Sequence, residues 1–191
     1  MSKRVEVRIS GLGGQGVILA GQILGRAAIH DEKHVVQTQS YGAEARGSAA
    51  KSEVIISDEK IGFPKVRKCD ILVAMSQSAL DTHLRNLKEN GVLLVDEDMV
   101  KEVPSVKARV LRVPATKISE SELKSKIFAN VVMLGVLTKK VELVSEKAMK
   151  KGIIESVSEE TKQENIKAFR KGMTFYEQEE TQTDTRSEAH T

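Results

Sequence analysis

The stretch that decides the fold is Val5-Glu-Val-Arg-Ile9 followed by Gly11-Leu-Gly13-Gly14-Gln15-Gly16, after which small and apolar residues recur at helical spacing up to Ala28. Alternation of apolar and polar side chains is typical of a strand, and recurrence every three or four residues is typical of a helix packed on one side. The glycines between them permit a tight turn. The stretch therefore predicts a strand, a turn and a helix.

Predicted strands and helices continue to alternate up to Val113. His34-Val-Val-Gln-Thr38 predicts a second strand, which completes a βαβ unit of right-handed chirality. Gln39–Ser48 is polar, contains glycine and predicts a long loop. Further strands are predicted at Ala50–Ser57, Asp70–Met75, Gly91–Val95 and Ala108–Val113, with a helix at Ser78–Leu87. Strands that alternate with helices predict an α/β fold with a single doubly wound, mostly parallel sheet and a Rossmann-like βαβ start.

Beyond Pro114 the sequence predicts a helical part. Ser119 and Glu122 have the spacing of a capping box. Ile127–Val141 is apolar on most of its circumference, so this helix is expected to be buried either in the fold or against another chain, which would make the isolated chain a homodimer. Further helices are predicted at Ser145–Lys151 and Ser158–Tyr176, the latter with Ile166, Phe169, Met173 and Tyr176 on one stripe.

The polar C-terminal segment differs from the rest in composition. Residues 177–191 are nearly devoid of apolar side chains and carry a net charge of −4, which leaves +7 on residues 1–176. Such a composition predicts a disordered tail. The predicted organisation is therefore one α/β domain over residues 1–176 and a disordered polar tail over residues 177–191.

Composition excludes several classes of protein. No run of Lys and Arg, and no interleaving of basic and aromatic residues, indicates a nucleic-acid surface. Cys69 is the only cysteine, which excludes an internal disulfide and predicts a reducing cytoplasm. Residues 1–4 are followed by no apolar signal core, and the longest apolar stretch, Val131–Leu137, is far shorter than a membrane span.

Gly11, Gly13 and Gly16 have the G-x-G-x-x-G spacing. Glycines in such a loop let a phosphate, or another backbone, approach the helix N-terminus, where free N–H groups favour an anion. A dinucleotide site would place a carboxylate at the end of the second strand, but this strand ends in Gln37-Thr38-Gln39-Ser40. No Gly-Lys-Ser/Thr follows the loop either. The remaining alternatives are another phosphate-bearing ligand and tight strand–helix packing without a ligand.

A second dense patch is Ser40-Tyr41-Gly42-Ala43-Glu44-Ala45-Arg46-Gly47. Glu44 and Arg46 supply both signs of charge, Tyr41 supplies a hydroxyl group, and two glycines permit unusual backbone angles. The alternative is that Glu44 and Arg46 form an exposed ion pair that only rigidifies a surface loop.

The two patches together resemble the γ subunit, or γ domain, of 2-oxoacid:ferredoxin oxidoreductases. The similarity continues through Ser52–Asp58, Asp70–Ala74 and the helix with Asn130 and Gly135, and covers about residues 4 to 140. The sequence of Gln37–Tyr41 is similar to that of the 2-oxoglutarate branch of this family. One departure is Ser48, where such sequences often carry a second glycine, and this departure puts the backbone angle at that position in question.

The resemblance implies an enzyme that decarboxylates a 2-oxoacid oxidatively with thiamine diphosphate and Mg²⁺, passes electrons through iron–sulfur clusters to ferredoxin, and forms an acyl-CoA from CoA as co-substrate. Cys69 alone cannot hold a cluster, which usually takes four thiolates, and no Gly-Asp-Gly segment for thiamine diphosphate is present. The partner subunits would carry these cofactors, and this chain would be a non-autonomous enzyme subunit without catalytic residues or metal ligands of its own.

The expected site is a pair of loops at the carboxyl ends of the strands that face a partner subunit and frame the cavity entered by CoA. Arg46 is the candidate for a bidentate phosphate or carboxylate contact, Glu44 would orient it, and Gln15 would cap the helix or donate to a ligand. The candidate residues are Gly11, Gly13, Gly14, Gln15, Gly16, Tyr41, Gly42, Glu44, Arg46 and Gly47.

Two other functions stay open from the residues. One is a free-standing regulator of Rossmann-like fold that binds a phosphate or nucleotide through the glycine loop and needs no partner. The other is the small subunit of an indolepyruvate or pyruvate oxidoreductase, which would share the fold and differ in substrate.

Overall fold

A computed structural model of the chain describes residues 4–42 and 47–188, with the side chains described up to Tyr176. The described residues form one six-stranded sheet and six α-helices. The strands are β1 (Arg4–Leu12), β2 (His34–Tyr41), β3 (Ala49–Ser57), β4 (Cys69–Ala74), β5 (Leu87–Asp96) and β6 (Arg109–Val113). The helices are α1 (Val17–His30), α2 (Gln77–His83), α3 (Ala115–Leu123), α4 (Ala129–Val141), α5 (Glu146–Ser156) and α6 (Lys162–Glu188). Among the described helices, none combines the length and the apolar character needed to cross a membrane.

The sheet is mixed, with strand order β2-β3-β1-β4-β5-β6. Strand β3 is antiparallel to both β1 and β2, whereas β4 is parallel to β1, β5 to β4 and β6 to β5. Five of the six strands therefore run in the same direction, and the predicted α/β fold with a mostly parallel sheet is confirmed. The βαβ start is modified, because β3 folds back from β2 and occupies the position between β1 and β2.

Each face of the sheet has its own core. On one face, Val7, Ile9 and Val54 are packed against α1, α4, α5 and α6 in the larger cluster of buried side chains. On the other face, a smaller cluster contains Leu72 and Leu93 together with Leu80 of the short helix α2. The helical cover is therefore thick on one face and thin on the other.

Helix α4 is buried within the fold. All its residues from Ala129 to Thr138 are buried. It crosses α6 at close range, because a Cβ atom added at Gly135 or Gly172 would collide with the backbone of the other helix. The alternative of burial against another chain, and with it the reason given for homodimerisation through this helix, is therefore removed. The predicted stripe on α6 is confirmed, since Phe169 is fully buried and its neighbours on the stripe pack on the same core.

The predicted capping box at Ser119 and Glu122 is wrong. Helix α3 begins four residues earlier, and Ser119 lies buried in its middle, where its hydroxyl group donates to the Ser125 carbonyl. The first turn of α3 is capped from a distance: the carboxylate of Asp96 accepts the Thr116 N–H at 3.4 Å, and that of Asp98 accepts the Lys117 N–H at 2.7 Å. A cap supplied by a preceding strand leaves no local spacing signal, which is why the pattern was misleading.

Several boundaries differ from the predicted ones, and two of these differences concern the predicted loop and the predicted tail. Strand β2 continues to Tyr41 instead of ending at Thr38, because its partner β3 pairs with it along its whole length, so residues 39–41 of the predicted loop 39–48 belong to the strand. Helix α6 is assigned up to Glu188 and so includes most of the segment predicted as a tail. The division into a domain over residues 1–176 and a disordered tail over residues 177–191 stays a prediction.

Candidate functional site

The candidate site lies at the end of the sheet where strands β1, β2, β4 and β5 finish and β3 begins. The glycine loop follows β1 there, the 42–48 segment joins β2 to β3, and Met75 and Ser76 follow β4. A backbone hydrogen bond of 2.7 Å from the Gly13 N–H to the Ser48 carbonyl joins the two loops. The structure thus brings together the two patches that the sequence singles out. We call this end of the sheet the carboxyl rim.

Gln15 fastens the glycine loop to the neighbouring strand. Its Oε1 accepts the Leu12 N–H at 2.6 Å, and its Nε2 donates to the Met75 carbonyl at 2.7 Å. The side chain therefore holds the loop against the end of β4, and it does not cap α1, whose N-cap residue Gly16 has no side-chain cap. The prediction that Gln15 caps the helix is wrong, because both ends of its amide are engaged elsewhere.

The glycines of the loop are required for different reasons. Gly14 and Gly16 have left-handed φ angles of 96° and 70°, which side chains rarely adopt. Gly11 lies within β1, and a Cβ atom there would lie 3.0 Å from the Cβ of Met75 and closer still to the Gln15 amide. At Gly16 a Cβ atom would collide with the amide of Asn130. The loop is therefore shaped by tight packing as well as by the turn.

The N-terminus of α1 offers hydrogen-bond donors. The N–H groups of Val17, Ile18 and Leu19 have no acceptor among the described residues, as in any uncapped first turn. Asn130, from the middle of the buried core, donates through Nδ2 to the Gly16 carbonyl at 3.0 Å. Its Oδ1 is buried and has no partner among the described residues. The loop therefore combines free donors with one free acceptor.

Sequence reasoning noted Asn130 but did not connect it to the glycine loop. The residue belongs to α4, which is far from the loop in the chain, and is only 1% exposed. The available signal was an amide in an otherwise apolar helix, since a buried polar side chain needs a partner.

The second loop is described only at its two ends. Tyr41 closes β2 with 63% of its surface exposed, the Gly42 N–H donates to the Ala49 carbonyl at 2.8 Å, and Gly47 has a φ angle of 74°. Ser48 does not take a left-handed backbone conformation, so the departure from the family pattern causes no strain there. Ala43, Glu44, Ala45 and Arg46 lie outside the described residues.

No group of metal-ligating side chains is present among the described side chains of residues 4–42 and 47–176. Cys69 is buried, and burial raises the pKa of its thiol to about 11, which makes it a poor nucleophile. Asp96 is also buried, and burial raises the pKa of its carboxyl group, while Thr116 Oγ1 donates to it at 2.6 Å. Both Asp96 and Asp98 serve as caps of α3. Ser76 caps α2, since its Oγ accepts the Ala79 N–H at 3.2 Å.

A cleft of about 510 Å³ lies at the opposite ends of the strands. Its charged lining is mostly paired within the chain. Asp31 accepts the N–H and the hydroxyl group of Ser145 at 2.5 and 2.7 Å, and Lys33 contacts Asp58 at 2.5 Å. No sequence-predicted site residue lies there.

Comparisons with known proteins agree with the resemblance seen in the sequence. Residues 6–175 match the family described as pyruvate ferredoxin/flavodoxin oxidoreductase. The chain is 55% identical over 172 residues to the 2-oxoglutarate synthase subunit KorC of Methanocaldococcus jannaschii, a match that covers 88% of this chain and 92% of that protein.

Two solved structures share the fold. The γ subunit of the keto/oxoacid ferredoxin oxidoreductase of Geobacter sulfurreducens is 43% identical, with a TM-score of 0.78 and coverage of 88% of this chain and 95% of that one. The 2-oxoglutarate:ferredoxin oxidoreductase of Magnetococcus marinus, at 24% identity and a TM-score of 0.80, contains the same fold within 31% of its chain. The chain belongs to the pyruvate ferredoxin/flavodoxin oxidoreductase family, as the sequence resemblance predicted.

Proposed function

We propose that this chain is the γ subunit of a 2-oxoglutarate:ferredoxin oxidoreductase. The observation that carries the proposal is the 55% identity to a 2-oxoglutarate synthase subunit over 92% of that protein's length. The enzyme would decarboxylate 2-oxoglutarate oxidatively, form an acyl-CoA and pass the electrons to ferredoxin. This chain would contribute to the reaction only as part of the assembled complex.

Thiamine diphosphate, Mg²⁺ and the iron–sulfur clusters belong to partner subunits in this proposal. The residues of this chain do not fit an iron–sulfur cluster, because a cluster usually takes four thiolates and the chain has one cysteine, which is buried. The buried lone thiol also supports a reducing compartment, and we place the complex in the cytoplasm.

The proposed role of the carboxyl rim is to face the thiamine-binding partner and to border the cavity entered by CoA. The free N–H groups at the start of α1 and the net charge of +7 on residues 1–176 both favour a polyanionic ligand. Arg46 is the proposed contact to a phosphate or carboxylate, with Glu44 to orient it.

The assignment is tested by purifying the tagged chain from its own cells under native conditions. We expect iron-bearing and thiamine-binding chains to co-purify, and the eluate to reduce a viologen dye in the presence of 2-oxoglutarate and CoA. Activity with pyruvate or indolepyruvate but not with 2-oxoglutarate would change the proposed substrate and leave the proposed subunit role intact. A lone, colourless protein that binds a nucleotide would refute both and favour the regulator.

The rim is tested by replacing Arg46 with Ala in the assembled complex. We expect the KM for CoA to rise by about tenfold, as for the loss of a charge-assisted hydrogen bond, or the complex to dissociate. Arg170→Ala, at an exposed position on α6, is the matched control. Unchanged KM and unchanged assembly in Arg46→Ala would refute the role of this residue.

A further inference from the structure

Strand β2 is an uncovered edge of the sheet. Among the described residues its only strand partner is β3, and its last four residues are exposed. Its sequence, His34-Val-Val-Gln-Thr-Gln-Ser-Tyr41, contains no Lys, Arg, Asp, Glu or Pro. Charged side chains and proline are the usual means by which proteins prevent an edge strand from pairing with another chain. This edge has neither.

The outward-facing backbone groups of β2 can be identified from its pairing with β3. The Gly42 N–H donates to the Ala49 carbonyl, so these two residues form a hydrogen-bonded pair. In an antiparallel pair such residues alternate along the strand. The N–H and C=O groups of Ser40, Thr38 and Val36 therefore point toward β3. Those that point away from the sheet belong to Val35, Gln37, Gln39 and Tyr41.

We propose that this edge binds β2 of a second copy of the chain, antiparallel across a two-fold axis normal to the sheet. One register uses all four outward residues: Val35 lies opposite Tyr41 of the second copy, and Gln37 lies opposite Gln39. In this register Thr38 lies opposite Thr38 of the second copy, at the axis. The two six-stranded sheets then form one continuous sheet.

Exposed apolar side chains at the two ends of the edge favour a second copy over an unrelated strand. Tyr41 and Ile29 are 63% and 61% exposed. Tyr41 and Val35 lie opposite Ala50 and Ile56, which belong to the core on the helix-covered face, so both side chains project on that face.

Ile29 lies on the same face, beside the start of β2. It follows Gly25 by one helical turn, and a Cβ atom at Gly25 would contact Val35 Cγ1 at 3.5 Å. In the proposed register, Tyr41 of one copy therefore covers Val35 and Ile29 of the other, and the symmetry repeats this contact at the opposite end. Cross-strand pairs of an aromatic and a β-branched residue are stabilising, and no charged side chain of β2 opposes another.

The proposal is tested on the purified full chain by sedimentation equilibrium over a range of concentrations. We expect a reversible dimer. Thr38→Lys places two lysines opposite each other at the axis while the inward N–H of residue 38 is kept, so the dissociation constant should rise by roughly tenfold or more. Thr82→Lys, the same substitution at an exposed position of α2, is the control and should dimerise as the wild type does.

A charge swap separates self-pairing from any other route to a dimer. Thr38→Lys and Thr38→Glu variants should each be mainly monomeric alone and should form a mixed dimer when combined, because unlike charges then meet at the axis. A wild-type chain that is monomeric at every concentration would overturn the proposal. A dimer that Thr38→Lys does not weaken, or variants that do not recombine, would overturn it as well.

Discussion

The two edges of the sheet are treated in opposite ways. Strand β6 is short, with five residues, and contains Arg109 and Arg112. The Arg109 guanidinium donates to the Lys140 carbonyl at 3.1 Å, and the Tyr176 hydroxyl group donates to the Arg112 carbonyl at 2.8 Å, so α4 and α6 are tied to this edge. Strand β2 is longer, has no acidic residue, Lys or Arg, and pairs on its outer side with no described strand. Helices close one edge, and we infer that assembly closes the other.

Helical glycines differ in how much room their neighbours leave for a side chain. On the closed side, α4 and α6 cross at Gly135 and Gly172 with their backbones in contact. On the open side, Gly25 of α1 leaves room for a Cβ atom, whose nearest neighbour would be Val35 Cγ1 at an ordinary contact distance of 3.5 Å. Close packing therefore requires glycine at Gly135 and Gly172 but not at Gly25, and the difference can be measured.

The largest effect is expected from Gly172→Ala. The added methyl group collides with the Val132 carbonyl, and the two helices must separate, so the free energy of unfolding should fall by about 3 kcal/mol. Urea denaturation measures this. Gly25→Ala is the matched control, and it should be neutral or stabilising by up to about 1 kcal/mol through helix propensity. Equal losses of unfolding free energy in the two variants would contradict the difference in packing between Gly172 and Gly25.

A smaller effect is expected at the closed edge itself. Tyr176→Phe removes the hydrogen bond to the Arg112 carbonyl and should cost about 1 kcal/mol of stability. Tyr41→Phe, at the open edge, removes a hydroxyl group on a side chain that is 63% exposed, and the stability of the folded monomer should not change. If both variants lose stability equally, the hydroxyl group of Tyr176 does not close the edge.

A pH dependence is expected from the face of the sheet that α2 covers. There Arg8 and Glu53 form a buried ion pair with N···O distances of 2.8 and 2.6 Å, and Lys51 lies 3.4 Å from Glu53. Burial, and then the charges of Arg8 and Lys51, lower the pKa of His83 to about 4, against the opposing effect of Glu53 and with a further contribution from Arg85.

Because the folded state keeps His83 neutral while the unfolded state protonates it near its ordinary value of 6.5, stability should be lost as the pH falls from about 6.5 to about 4. His83→Gln should flatten this part of the stability profile. Lys51→Met should raise the pKa of His83, which NMR titration of the imidazole measures. A pKa near 6.5 in the wild-type chain would contradict the prediction.

The parts of the fold that the sequence predicted well are those with a local signal. Continuous apolar runs such as Ile71–Ala74 indicate strands that are covered on both faces, and the glycine loop marks the passage from β1 to α1. The position of β3 has no such signal. Period-two alternation shows that β2 and β3 are strands, but it does not show that β3 lies between β1 and β2.

The meeting of the two loops could be predicted from the sequence, and the contacts that hold them could not. Loops after parallel strands meet at one edge, so the joining of Gly13 to Ser48 follows from the strand order. The role of Gln15 could not be predicted from the sequence, because its partners are backbone atoms of Leu12 and Met75. Backbone atoms are the same in every residue and leave no sequence signal. For the same reason the caps of α3 by Asp96 and Asp98 leave no trace in spacing.

The fastening of the glycine loop by Gln15 has a consequence for how this region can change in evolution. Since the amide recognises only main-chain atoms of Leu12 and Met75, the side chains at these two positions are free to vary within the limits of packing without moving the loop. Gln15 itself has no substitute of equal reach, since Asn is one methylene shorter and Glu lacks the donor for the Met75 carbonyl. At this contact the position of the loop therefore depends on the identity of Gln15 and not on that of Leu12 or Met75.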